Sequence, residues 1–386
     1  MFLLRAAFIK SFLFSDQRCF VDNSNNLTPT PENGGKKGTS AKSRVLWTLL
    51  FIVIAALSVW MVTSQSQTFS IDEFKAFLVS ASVPYIIAAI VCMLGFIVFE
   101  AAALKCLVGA FGYRHSLGKG VVYSAADIYF SAITPSATGG QPVCGMFMMR
   151  DGIPGAVTTA SLLINLAMYS FSILLIGIFS ITFHFNVFSD YFGTVSKLLI
   201  VLGLLIQVIL TLFIVLLIFR EKLLHGICRR VLSFLGKIRL IRKPEKKLEK
   251  LDRSMAEYRA CIEMIKKSGA RGLLIRAFIF NLLQRISQIS VTMFTFLAAS
   301  GNPSLADDVW SMQNFVVIGS YCAPIPGAMG VADWLLLDGF GEIMSEAAAT
   351  NLEILSRAAS FYLCTMLCGI IVLVKFLLSG TRRRVK

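Results

Sequence analysis

Six apolar runs, each long enough to cross a bilayer, constrain the fold of this chain more than any other feature. A membrane-spanning helix needs about 20 predominantly apolar residues. The predicted spans are 46–63, 86–104, 156–183, 198–219, 273–299 and 358–378. Because 56% of the residues are hydrophobic and only 15% are charged, the sequence predicts an all-α polytopic membrane protein with about six full transmembrane helices.

Two further apolar segments, 121–149 and 309–340, are each interrupted by proline and glycine. The first breaks at TPSATGGQPV and the second at APIPGAMG. Proline removes a backbone donor, and broken backbone at membrane depth is tolerated only where protein or a water-filled cavity satisfies its polar groups. We therefore predict two re-entrant helical hairpins, with a kinked full span or an ordinary loop as the alternative for each.

The order of these segments predicts an inverted repeat. Residues 45–197 contain span, span, hairpin and span, and residues 198–380 contain the same order again. Three crossings per half is an odd number, so the second copy must be inverted. Inverted halves with discontinuous helices are a common plan of transporters, which favours movement of a substrate across the membrane.

Positive charge in the loops predicts the orientation. Residues 220–271 hold 16 Lys or Arg against 6 Asp or Glu, so this loop should be cytoplasmic. The N-terminal segment 1–44, predicted to be partly disordered, and the basic tail 381–386 then lie on the same side. The net charge of +15 is concentrated in loops, which favours anionic inner-leaflet lipid over nucleic acid as partner. Apolar residues at helical spacing in 248–265 predict an interfacial helix, with a plain cytoplasmic connection as the alternative.

Polar residues inside the predicted membrane segments indicate a binding site, because such residues usually face the protein interior or a cavity. Arg285, three carboxylates and helix N-termini at the two breaks would suit a zwitterionic or anionic head group. The alternative is that these side chains only pair with one another to hold the bundle together. The predicted substrate-binding residues are Glu100, Asp127, Thr138, Gly139, Gly140, Gln141, Gln284, Arg285, Gln288, Pro326, Gly327, Gly330 and Asp333.

The segments SAITPSATGGQPV, followed by MRDGI, and PIPGAMGVAD resemble the two signature regions of the lysylphosphatidylglycerol synthase transmembrane, or flippase-like, domain family. The resemblance covers the chain from its first span to its last. It implies a membrane domain that moves aminoacyl phosphatidylglycerol to the outer leaflet, where this lipid repels cationic antimicrobial peptides. Since the sequence ends at TRRRVK directly after the last span, the resemblance implies the translocating half, with any lipid-modifying synthase as a separate partner.

The two signatures match the family to different degrees. Residues in agreement are Pro135, Gly139, Gly140, Gln141 and Pro142 in the first motif, and Pro324, Pro326, Gly327 and Gly330 in the second. Two positions of the second motif differ. Ala328 stands where the family usually has a second glycine, and Asp333 stands where a glutamate is expected.

Other function classes fit the sequence less well. A membrane-embedded lipid enzyme needs a nucleophile with a base, or a metal cluster, but His115, His184 and His225 are isolated in the sequence. No CxxC pair and no phosphate-binding GxxxxGK[ST] loop occurs, so no cofactor is predicted. An ion or small-solute transporter would share the inverted architecture, and a membrane scaffold is a further alternative. The lipid, the energy source and any homo-oligomer are left open.

Overall fold

The computed structural model describes residues 81–134, 137, 139–237, 244–267, 270–300, 302–323, 326–328 and 330–381. The N-terminal segment 1–44, the first predicted span and the last five residues of the tail lie outside these ranges. All regular elements within them are helices, and this part of the chain confirms the predicted all-α fold.

The helices follow the order of the predicted membrane segments. They are α1 (Val83–Ala110), α2 (Leu117–Ala132), α3 (Gly140–Arg150), α4 (Gly155–Phe183), α5 (Phe185–Asp190), α6 (Thr194–Phe219), α7 (Glu221–Lys237), α8 (Pro244–Lys267), α9 (Arg271–Ser300), α10 (Ala306–Gly319), α11 (Val331–Gly341), α12 (Glu346–Arg357) and α13 (Cys364–Thr381). Short 3-10 turns lie at Pro303–Leu305, Ser320–Cys322 and Pro326–Ala328. A π-helical segment, Ala358–Leu363, joins α12 to α13.

Four of the described helical segments are long and apolar enough to cross a membrane. They are Val83–Ala110, Gly155–Phe183, Thr194–Phe219 and Ala348–Leu377. Their outer faces carry large exposed apolar side chains, such as Ile87 on α1 and Leu205 and Leu212 on α6. Contiguous apolar surface of this kind requires a lipid environment, so the protein is a multi-pass membrane protein.

The last membrane helix begins earlier than predicted. The sequence placed its start at Ala358, but the helix runs without interruption from Glu346 through the π-helical segment into α13. The prediction stopped at the charged residues Glu353 and Arg357, which lower the hydropathy. These two side chains form an ion pair on one helical face, so the helix tolerates them.

Helix α9 occupies the centre of the bundle. It covers the predicted span 273–299 as one continuous helix, but its polar residues keep it out of the set of four apolar candidates. It packs along α1 and also contacts α4, α10 and α12. A Cβ atom added at Gly95 would lie 3.1 Å from Ser287 Oγ, which marks the close approach of α1 and α9. The polar face of α9 is therefore covered by protein.

Both predicted interruptions are present as a helix, a break and a second helix. We call α2 and α3 hairpin 1, and α10 and α11 hairpin 2; in each, the two helices pack together. Each break holds one alanine in the left-handed region, Ala137 with φ 51° and Ala328 with φ 50°. The first break is shorter than predicted, because Gln141, Pro142 and Val143 belong to α3, where proline is tolerated in the first turn.

The two hairpins pack on different helices of the bundle. Hairpin 1 packs on α1 and is followed by α4, while hairpin 2 packs on α9 and is followed by α12. In addition, α2 contacts the turn Pro326–Ala328 of hairpin 2. The second break therefore lies beside α2 of hairpin 1. The relation of the two hairpins by inversion, and their depth in the membrane, stay predictions.

The predicted interfacial helix packs on protein with its apolar face. It corresponds to α8, whose residues Leu251, Met255 and Tyr258 are buried in a core shared with α4. Ile262 and Ile265 pack against the same core. The apolar face of α8 therefore packs mainly on protein, because α4 offers a matching apolar surface.

Candidate functional site

Two buried carboxyl groups, Glu100 on α1 and Asp127 on α2, form the first part of the candidate site. They are only 4% and 6% exposed, and they lie on two helices that pack together. Ser124 Oγ donates to Glu100 Oε2 at 2.9 Å, and Gln284 Nε2 approaches the same oxygen at 3.3 Å. Within the described ranges, neither group has an ion-pair partner.

Asp127 also joins the two helices of hairpin 1. Gln141 Nε2 donates a short hydrogen bond to Asp127 Oδ2, and Ser131 Oγ donates to Oδ1 at 3.3 Å. A Cβ atom at Gly140 would lie 2.1 Å from Asp127 Oδ1 and 2.3 Å from its backbone oxygen. Only glycine fits at this position. The carboxyl group of Asp127 thus lies directly against the N-terminus of α3.

Arg285 on α9 forms the second part of the site and is 1% exposed. Its guanidinium group lies 4.4 Å from the ring centroid of Tyr169 on α4. Nη1 donates to Gln288 Oε1, and Nη2 lies 3.5 Å from the hydroxyl of Tyr321 in hairpin 2. Nε has no acceptor among the described residues. Arg285 is therefore a buried cation held by an aromatic ring and neutral oxygens, with no carboxylate in ion-pair contact within the described part of the chain.

Asp333 on α11 belongs to a third group of charges. Arg357 Nε lies 2.6 Å from Asp333 Oδ1 and 3.8 Å from Glu353 Oε1. The guanidinium group also approaches the carbonyl oxygen of Gly327 at 3.4 Å, and Gly330 N donates to Asp333 Oδ2 at 2.8 Å. The predicted combination of Asp333 with Arg285 is not formed, because α12 packs against α11 and brings Arg357 closer.

The N-termini of α3 and α11 face carboxyl groups of the chain itself. Asp127 lies against the start of α3, and Asp333 accepts a hydrogen bond from the residue that precedes α11. The N-terminus of a helix carries partial positive charge, which stabilises a carboxylate just as it stabilises a bound phosphate. These carboxyl groups therefore stand where the sequence analysis expected a head group to bind.

The structure brings most of the predicted residues into three neighbouring groups. The first holds Glu100, Asp127, Gly140, Gln141 and Gln284, the second Arg285 and Gln288, and the third Gly327, Gly330 and Asp333. Gly139 N donates to Thr134 Oγ1 at 2.8 Å within the first break. Thr138 lies outside the described residues, and of Pro326 only the backbone is described. The first two groups are linked because Gln284 and Arg285 are consecutive residues.

Other polar residues of α9 connect the helices of the bundle. Asn281 Nδ2 donates to Asn165 Oδ1 on α4 at 3.0 Å, and Thr292 Oγ1 lies 2.6 Å from Ser356 Oγ on α12. Both pairs hold neighbouring helices of the bundle together. Arg285, in contrast, has no carboxylate in ion-pair contact within the described residues.

Sequence reasoning missed four residues around the site. Glu353 and Arg357 were placed outside the last span, although their i, i+4 spacing on an apolar helix indicates a charge pair facing the protein. Tyr169 and Tyr321 lie in apolar surroundings, and nothing in their spacing relates them to Arg285. Both contacts depend on tertiary packing of α4 and hairpin 2 on α9.

Comparison with known proteins gives one family. The family described as the lysylphosphatidylglycerol synthase TM region matches residues 46–368, a range that includes α1, both hairpins and the charged groups described above. No curated protein and no solved structure gives a significant match to the chain.

Proposed function

Because the chain belongs to the family of the lysylphosphatidylglycerol synthase transmembrane region, we propose that it moves a phospholipid between the two leaflets of the cytoplasmic membrane. The proposed activity is transport, and a separate enzyme would supply the modified lipid. In the proposed orientation both chain termini are cytoplasmic, in agreement with the charge of residues 220–271.

The observation that carries this proposal is the buried, unneutralised Arg285. A charge in a low-dielectric interior is costly unless it is paired. Arginine offers five N–H donors and binds phosphate with two of them at once, whereas Arg285 has Nε without an acceptor in the described residues. A lipid phosphate at this position would supply the missing negative charge.

The pair formed by Glu100 and Asp127 favours an aminoacyl head group over an unmodified one. Gln284, which contacts Glu100, directly precedes Arg285, and consecutive Cα atoms are about 3.8 Å apart. A lysyl phosphatidylglycerol head group carries both a phosphate and ammonium groups. Arg285 would take the phosphate, and Glu100 and Asp127 would take an ammonium group as carboxylates.

The site is buried, as expected of a transporter in a closed state between its two open states. Glu100, Asp127 and Arg285 are all more than nine-tenths buried, so a head group can enter only after the surrounding helices separate. Hairpin 2 reaches Arg285 through Tyr321, while hairpin 1 reaches Gln284 through Glu100. We infer that the hairpins open in turn while the acyl chains stay in the bilayer.

The test measures transbilayer movement of labelled phosphatidylglycerol and lysylphosphatidylglycerol in proteoliposomes. The variant Arg285→Gln should slow movement by about 10- to 100-fold, the effect expected for loss of a charged hydrogen bond. The matched control is Arg276→Gln, which removes the same charge from the exposed part of the same helix and should leave movement unchanged. Glu100→Gln should impair lysylphosphatidylglycerol more than phosphatidylglycerol.

The outcomes separate the function from the site. Protein-dependent movement that survives Arg285→Gln would keep lipid translocation and reject this site. If folded protein moves neither lipid, another substrate or the ion and solute transporter is favoured.

A further inference from the structure

A groove lies where the end of α6 meets α7 and α8. It has a cavity volume of about 580 Å³. Its apolar side includes Leu216, Phe219 and Leu223, which are 43%, 62% and 44% exposed. Tyr258 and Ile262 of α8 line the other side. The groove therefore combines apolar walls with access from outside.

The rim of this groove is basic. Arg220, Lys222 and Arg259 line it together with a single acidic residue, Glu263. Arg259 pairs with Glu263 at 3.6 Å, but both side chains are exposed, and such a surface pair is weak. Within the described residues, Arg220 and Lys222 form no ion pair. The rim can thus accept one or two negative charges.

The position of the groove selects among anionic ligands. Helix α6 is one of the membrane-spanning candidates and ends at Phe219, so the groove begins at the membrane–water boundary. A soluble anion would use the basic rim but not the exposed apolar walls. A phospholipid uses both, since basic residues attract its head group while apolar surface contacts its glycerol backbone and acyl chains.

We propose that this groove binds an anionic phospholipid of the leaflet on the side of residues 220–271. The bound lipid contacts the span α6 and the two helices of the basic loop at the same time. It acts as a fixed ligand at the edge of the bundle, separate from Arg285, and the proposal does not depend on lipid translocation. The apolar face of α8 packs on the core that it shares with α4, and its edge at Tyr258 and Ile262 lines the groove.

The experiment places a fluorescent probe in the groove. Phe219→Trp replaces an exposed aromatic residue at the wall, and its emission, after subtraction of the parent protein, reports contact with brominated lipid. The purified protein is reconstituted with increasing mole fractions of brominated phosphatidylglycerol or brominated phosphatidylcholine. We expect half-maximal quenching at a mole fraction at least about fivefold lower for phosphatidylglycerol, the preference expected of even one basic contact.

Two triple variants in the Phe219→Trp background test the role of the rim. Arg220→Gln, Lys222→Gln and Arg259→Gln together should abolish the preference for phosphatidylglycerol. Arg229→Gln, Arg230→Gln and Arg271→Gln remove the same charge from exposed residues that do not line the groove, and should keep it. Both proteins are first compared by gel filtration and melting temperature.

Three results would overturn the proposal. Equal quenching by the two lipids would show that the groove has no anionic preference. Equal loss in both triple variants would assign the preference to the charge of the whole loop. Retention of the preference in the rim variant would show that another surface attracts the lipid.

Discussion

Replacement of Gly140 by alanine tests the packing inside hairpin 1 most directly. The added Cβ atom would lie 2.1 Å from both Asp127 Oδ1 and Ser131 Oγ, whereas favourable contacts begin near about 3.5 Å. Helix α3 must therefore move away from α2 by about 1 Å, a shift that weakens the hydrogen bond between Gln141 and Asp127.

The expected cost combines three effects. Overpacking costs about 1 to 3 kcal/mol, and loss of a hydrogen bond to a charged group costs about 1.5 to 3 kcal/mol. Alanine has a higher helix propensity than glycine, which offsets about 1 kcal/mol of this cost. The net loss in the free energy of unfolding is then about 1.5 to 5 kcal/mol for Gly140→Ala.

Thermal unfolding in detergent, followed by fluorescence-detected gel filtration, measures this loss as a fall in the apparent melting temperature. Gly118→Ala is the matched control, since it lies in α2 and its Cβ would meet nothing within 4 Å. It should melt at or above the wild-type temperature. If Gly140→Ala melts together with Gly118→Ala, the close approach of α2 and α3 is wrong.

Two further predictions concern a strained alanine and a half-buried histidine. Ala328→Gly should raise the melting temperature, since a left-handed conformation costs alanine about 1 kcal/mol. The control Ala348→Gly, in the exposed part of α12, should lower the melting temperature. A fall in both variants would refute strain at Ala328. Burial lowers the pKa of His115, so the folded state binds fewer protons than the unfolded state. Stability that is present at neutral pH should therefore be lost as the pH falls below about 6.5. The melting temperature measured from pH 7.5 to 5.5 should fall more steeply in the wild type than in His115→Gln, and parallel curves would contradict this assignment.

The helices could be predicted from the sequence because their signals are local. Long apolar runs predict α1, α4 and α6, and the clustered proline and glycine residues predict the two breaks. Helix ends were less predictable. Pro142 suggested an extended break, but in the first turn of α3 it costs no hydrogen bond, and the charges of Glu353 and Arg357 hid the start of α12.

The pairing of charges could not be predicted, because it depends on which helices become neighbours. The sequence identified Arg285 and Asp333 as charges in membrane segments; Arg285 is buried, and the Asp333 side chain is 15% exposed. It could not show that Asp333 pairs with Arg357 and not with Arg285, since this pairing requires the packing of α12 on α11. The partners of Arg285 are aromatic and neutral, and such residues carry no distinct signal in an apolar sequence.

The π-helical segment Ala358–Leu363 sets the register of α13 relative to α12. Removing one residue from its register would turn α13 by about 100° and shift it by about 1.5 Å relative to α12. Phe361 of this segment fills the space next to Gly327, and Gly369 of α13 lies against Tyr129 of α2. A single register step would therefore change both contacts at once, the one at the break of hairpin 2 and the one on α2 of hairpin 1.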